Sequence, residues 1–175
     1  MHERVRKLTL TGILTAAALV TFVIELQLPP LTGIPGIKPG LANIFTLFAL
    51  CWLGRGWAFA LLAARVVLGC VVTGRMMALG YSLAGGLLAF AVMTALLRVI
   101  PERQLWVVSI FGAMAHNLGQ MLVARVVAGI GAIWYYLPVL LLAAIATGLL
   151  TGLCAQLVLK RLRGALREKK KEESN

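Results

Sequence analysis

The residues able to do chemistry in this chain are few, and almost all of them interrupt long apolar runs. They are Glu25, Lys38, Asn43, Arg65, Arg75, His116, Asn117, Gln120 and Arg125. Four of them are cations and one is a carboxylate. Arginine offers a planar donor fork that matches carboxylate or phosphate, and Asn and Gln both donate and accept. Such a set is suited to holding a small ligand that carries at least one anionic group. It is poorly suited to catalysis, because the sequence contains no Asp and offers no cluster of nucleophile, base and acid. A Mg²⁺-dependent diphosphate chemistry needs several carboxylates around the metal, and a nucleotide-hydrolysing loop needs Gly-Lys-Ser or Gly-Lys-Thr; neither is present. Cys51, Cys70 and Cys154 are odd in number, far apart and embedded in apolar runs, so they read as small apolar residues. No catalytic residue, metal site or cofactor is expected.

The elements that must position these groups follow from composition. Apolar residues make up 61% of the 175 residues, charged residues only 13%, and the net charge is +11. That balance belongs to an integral membrane protein. The cations sit at the ends of apolar runs and in the tail, which assigns them to membrane topology and not to nucleic acid. The runs are Leu8 to Leu28, Leu41 to Leu53, Trp57 to Thr73, Leu79 to Ile100, Leu105 to Ala128 and Ala132 to Leu159. The second is short for a span. Between the first two lies Gly33-Ile34-Pro35-Gly36-Ile37-Lys38-Pro39-Gly40, where proline forbids a continuous helix. This stiff loop is either the lid of a binding cavity or a rigid connector.

The expected fold is therefore all-α, a polytopic bundle of six transmembrane helices. Residues 1–7 form a cytoplasmic N-terminus, residues 8–160 one transmembrane domain and residues 161–175 a basic cytoplasmic tail. Charge supports this arrangement. With both termini inside, Arg4, Arg6, Lys7, Arg55, Arg98, Arg103 and seven cations from Lys160 to Lys171 lie inside, thirteen in all, against Lys38 and Arg75 outside. In that arrangement Glu25, Lys38, Asn43, Arg75, Gln120 and Arg125 fall in the outer half, with Arg65 and Asn117 nearer the middle. His116 and Gln120 are one helical turn apart, and Asn117 and Gln120 also share a face; for His116 and Asn117 an interhelical hydrogen bond and a ligand contact are both open readings. Gly12 and Ala16 give the first helix a small-residue face where another helix can approach closely, and Gly148 and Gly152 do the same in the sixth.

Three segments carry a resemblance. They are the loop with its continuation Leu41-Ala42-Asn43, then Tyr81-Ser82-Leu83-Ala84-Gly85-Gly86-Leu87-Leu88, then Ala115-His116-Asn117-Leu118-Gly119-Gln120-Met121-Leu122-Val123-Ala124. Together they resemble the Gx transporter family, also labelled heptaprenyl diphosphate synthase component I; Pro39 and Ala89 depart from its pattern. The family is similar to the substrate-binding components of energy-coupling factor transporters. The resemblance implies a cell-membrane protein with six helices, an outer site capped by a loop, and a first helix whose small face docks a transmembrane coupling protein that works with ATPase subunits. The older label implies instead a membrane subunit of a prenyl diphosphate synthase, and the missing carboxylates would make that subunit non-catalytic.

The charge count generates the first prediction. A reporter fused after Asn175 is expected on the cytoplasmic side, and a cysteine placed at Thr32 is expected to react with an impermeant thiol reagent from outside. A C-terminal fusion active on the outer side would overturn the arrangement.

Overall fold

The computed structural model describes residues 2–27, 40–74, 76–129 and 131–172. Among these the chain forms six α-helices: α1 (His2–Gln27), α2 (Asn43–Trp52), α3 (Arg55–Thr73), α4 (Met77–Leu96), α5 (Leu105–Ala128) and α6 (Leu137–Glu172). Short 3-10 turns at Glu102–Gln104 and Gly131–Tyr136 precede α5 and α6. The all-α membrane bundle expected from composition is what the chain builds. Five of its helices are long and apolar enough to cross a membrane. α2 is the exception, because its 10 residues extend roughly 15 Å at about 1.5 Å per residue, half of a hydrocarbon core about 30 Å thick.

Hydroxyls inside apolar helices are satisfied locally. In α1, Thr11 donates to the carbonyl of Lys7 at 2.8 Å and Thr15 to that of Thr11 at 2.7 Å, which removes the penalty of an unpaired group in hydrocarbon. α1 also starts earlier than its apolar run: Glu3 and Lys7 pair at 2.8 Å one turn apart and carry the helix back to His2. At the other extreme, α6 continues through Glu172. The charged segment read as a separate tail is thus a direct extension of the last span. Its Lys, Arg, Glu, Leu and Ala are good helix formers, and Arg163 is held by Glu102 through two contacts, at 2.6 and 2.7 Å.

Two core clusters define the direction of each helix. One gathers Leu10 and Leu14 of α1, Leu50 of α2, Ala58 and Leu61 of α3, Ala89 and Met93 of α4, Leu105 and Val108 of α5, and Ala155 and Leu159 of α6. The other joins Tyr81 of α4, Met121 and Ala124 of α5 and Leu140 of α6. Successive helices therefore run in opposite directions, and the start of α1 and the far part of α6 share one end. That end also carries Arg55, Arg98 and Arg103, and it is called the basic end below. Trp52, Trp57 and Trp106 sit at helix ends there, as expected of residues anchored at a membrane interface.

α5 packs most extensively, against α4 on one side and α6 on the other. Glycine allows both approaches. A Cβ on Gly119 would lie 2.6 Å from the carbonyl oxygen of Ala84, and one on Gly85 would lie 2.8 Å from that of His116. Across the other seam, a Cβ on Gly148 would meet the Cα of Ile110 at 2.6 Å and one on Gly152 the Cα of Trp106 at 2.5 Å. Ser109 and Thr151 bridge the same seam by a hydroxyl pair at 2.9 Å. The close-packing role expected of Gly148 and Gly152 is therefore played against α5. By contrast α1 and α6 leave between them an apolar groove of about 150 Å³, floored by Ile44, Phe45 and Phe48 of α2.

These approaches give a second prediction. Gly152→Leu should destabilise the fold by at least about 1–3 kcal/mol through overpacking against backbone that cannot yield, read as a lower thermal midpoint of the purified protein. Gly12→Leu should leave the midpoint unchanged, because nothing lies within 4 Å of a Cβ there. Equal midpoints for the two variants would contradict the close α5–α6 seam.

Candidate functional site

A buried guanidinium forms the centre of the site. Arg65 lies midway along α3 and is only 5% exposed. On lenient insertion scales a charge at that depth costs about 2.5–3.5 kcal/mol, so it must face protein or water. Its Nη2 donates to Oδ1 of Asn43 at 3.2 Å. Asn43 is the first residue of α2, so the half-length helix begins at the depth of Arg65. Glu25, near the end of α1 and 4% exposed, accepts the backbone N–H of Leu41 and acts electrostatically on Arg65. Between them, Gly40 takes a φ of 77°, which a side chain would strain, and a Cβ there would lie 2.8 Å from the imidazole of His116.

His116 and Gln120 complete the polar wall from α5. Nε2 of Gln120 and Nε2 of His116 lie 3.0 Å apart, a hydrogen bond within one turn of the helix. The contact of Gly85 with the backbone of His116 brings α4 in at the same level and delivers Ser82, one turn earlier. Phe22, Glu25, Gly40, Arg65, Val66, Ser82, His116 and Gln120 thus enclose one cavity of about 20 Å³. That is room for about one water, so the polar groups are packed chiefly on one another. Asn43 keeps a further donor in reserve: its Nδ2 is buried without a partner among the described residues and would lie 3.0 Å from a Cβ on Gly40.

The structure brings together Glu25, Asn43, Arg65 and Gln120 of the expected site residues, and it separates others. Asn117 shares a stretch with Gln120 but faces α6, where its Nδ2 donates to the carbonyl of Leu140 at 2.9 Å. It therefore ties two helices and does not line the cavity. Arg125 is exposed at the last turn of α5, next to Ala124 of the second core cluster, and does not line the cavity either. A long side chain near a helix end reaches the interface without help from the interior. Lys38 and Arg75, and most of the Pro/Gly loop, lie outside the described residues. Ser82, Phe22 and Val66 line the cavity without having been singled out as site residues. The Gly85-Gly86 step was the signal for Ser82, since a hydroxyl one turn from a helix crossing has to face the neighbouring helix. No group of three or more His, Cys, Asp or Glu comes together among the described residues to hold a metal ion.

Gly12 and Ala16 are both exposed on α1, in line with exposed Leu8 and Val20 at four-residue spacing. The face is continuous and open.

Five membrane-length helices and a half-length one, closed around a buried polar cluster at mid-depth, define a multi-pass α-helical membrane protein with an internal polar site. The chain belongs to the heptaprenyl diphosphate synthase component I family, whose model matches residues 14–158. Comparison with curated proteins and with solved structures gives no match.

The bond between Arg65 and Asn43 generates the third prediction. Asn43→Ala leaves a buried guanidinium short of an acceptor and should cost about 1.5–3 kcal/mol, seen as a fall in the thermal midpoint in detergent. Asn43→Asp, which restores an acceptor, should recover most of it. A midpoint unmoved by Asn43→Ala would mean that Arg65 is held by other groups.

Proposed function

We propose that this chain is the membrane-embedded substrate-binding component of a small-molecule uptake system, energised by separate partner ATPases through a transmembrane coupling protein. In this reading it resides in the cell membrane with both termini in the cytoplasm, takes its ligand from outside and performs no chemistry itself. The observation that carries the reading is the cluster of Arg65, Asn43, Gln120 and His116 at the start of a helix that goes only halfway across. Broken helices with polar groups at mid-membrane depth are where transporters hold their substrates. Admitting more than a water requires the wall to open, and Gly40 is its least helical part.

The ligand fits the charge of the site. Glu25 is shared between the N–H of Leu41 and the field of Arg65, so a second anion is accommodated beside the guanidinium. A small molecule with at least one carboxylate or phosphate and an apolar body matched to Phe22 and Val66 is the class expected.

A second reading follows from the name of the family. There the chain is a non-catalytic membrane subunit of a heptaprenyl diphosphate synthase. Affinity purification from native membranes separates the two: the uptake reading expects ATPase-bearing coupling subunits, and the synthase reading expects a soluble prenyl synthase rich in Asp.

The fourth prediction tests site and docking face together. In a thermal-shift screen of small anionic metabolites, Arg65→Gln and Gln120→Ala should weaken the ligand at least about ten-fold, or about 1.4 kcal/mol, while Arg125→Ala binds as the parent does. Gly12→Leu and Ala16→Trp should keep ligand binding but lose co-purification with the coupling protein. Full binding by folded Arg65→Gln would place the ligand elsewhere, and undiminished co-purification of the α1 variants would remove that face from the docking surface.

A further inference from the structure

The basic end holds a second cavity, separate from the internal site. About 300 Å³ in volume, it lies between the Glu102–Gln104 turn, the start of α5 and the far part of α6, and is lined by Glu102, Arg103, Leu105, Gln156, Leu159, Lys160 and Arg163. That volume falls within the range of small-ligand pockets. Three of its lining residues are cations and one is a carboxylate. Glu102 is fully used by Arg163, with both guanidinium nitrogens on both carboxylate oxygens. Arg103 and Lys160 are exposed and have no acidic partner among the described residues. The cavity therefore keeps a charge surplus of +2 that nothing on its own wall offsets.

Its floor differs from its rim. Leu105 and Leu159 are buried beneath the cations. Gln156 lines the cavity beside them, and its side-chain oxygen is buried without a partner among the described residues. Gln156, Leu153, Leu157 and Lys160 share one face of α6 by their spacing, and Leu153 and Leu157 are 41% and 60% exposed. Trp106, partly exposed, flanks the seam at the membrane interface. A basic rim over an apolar floor, opening onto a bilayer-facing stripe, has the polarity of an amphiphile laid along the helix.

We propose that this cavity binds the phosphate head of a membrane amphiphile, with Arg103 and Lys160 on the phosphate, Arg163 fixed by Glu102 as the back wall, and the apolar chain along Leu153 and Leu157. Arg contributes the fork and Lys the point charge that phosphate recognition uses. The shared chemistry fits an anionic phospholipid or a prenyl diphosphate. This inference is independent of the uptake reading, since none of its residues touches the internal site.

The test uses the full chain purified in mild detergent, with binding followed by native mass spectrometry and thermal shift. Phosphatidylglycerol, phosphatidylcholine, farnesyl diphosphate and inorganic diphosphate are the four probes. Arg103→Gln combined with Lys160→Gln should weaken the binding amphiphile about 30-fold, as each membrane-surface cation contributes about a five-fold factor. Arg161→Gln combined with Arg167→Gln removes the same charge from exposed positions outside the cavity and should bind as the parent does. Both pairs are at exposed positions, and the thermal midpoint without lipid checks that each is folded. Preference for phosphatidylglycerol over phosphatidylcholine, lost only in the first pair, supports the site and names its source as phospholipid. The same pattern with farnesyl diphosphate supports it and names a prenyl diphosphate. Equal losses in the two pairs, equal binding of phosphatidylcholine, equal binding of inorganic diphosphate, or no binding at all would each overturn it.

Discussion

A guanidinium held at mid-membrane depth has to be met by acceptors, and the surroundings of Arg65 follow from that requirement. Only about one water has room beside it, and a charge left alone there would cost more than most single packing contacts return. The fold answers by ending one helix and beginning another at its level. α1 delivers Glu25 from its last turns, and α2 begins with Asn43, so an amide oxygen bonds to Arg65 while a carboxylate acts on it electrostatically. The half-length of α2 is then no defect of a span. It is the result of placing a helix start, and hence polar groups, where a continuous helix would have presented only side chains.

The second constraint is distance. Polar side chains as short as Ser82, His116 and Gln120 can share a wall only if their helices nearly touch, and Gly85 and Gly119 let the α4 and α5 backbones do so. The same device between α5 and α6, at Gly148 and Gly152, fixes the far side of α5. α5 is thereby clamped on both flanks. Its rotation about its own axis is set, so that Gln120 faces the cavity while Asn117, three residues earlier, bonds to Leu140 on α6.

That rotation explains which parts of the site were legible in the sequence. Arg65 was legible because a lone charge within an apolar run has few places to go, and Asn43 because it follows a proline-rich break that must place a helix start. Gln120 and Asn117 looked alike, since spacing tells which residues share a helix face but not which neighbour that face meets. Arg125 was expected in the outer half among the ligand-binding residues, but it lies exposed in the last turn before the left-handed Gly129, with φ of 66°, and off the cavity. The helical extension to Glu172 was hidden by its charge, which by composition alone reads as solvated chain. The pairing of Glu102 with Arg163 joins residues 61 apart and could not be found by any local pattern.

Charge at the internal site can be followed one step further. The start of a helix carries a partial positive charge from unpaired N–H groups, and α2 has no side-chain cap at its start. Its first amides turn back on Gly40, Leu41 and Ala42 through tight bonds of 3.0–3.3 Å, while the N–H of Leu41 is given to Glu25. The Glu25 carboxylate thus serves the helix start and the guanidinium together. What remains at the cavity is Arg65, the positive end of α2, and an Asn43 amide donor with no partner among the described residues. Each favours an acceptor or an anion, and none favours a cation. The electrostatic character of the site is therefore set by the place where α2 begins.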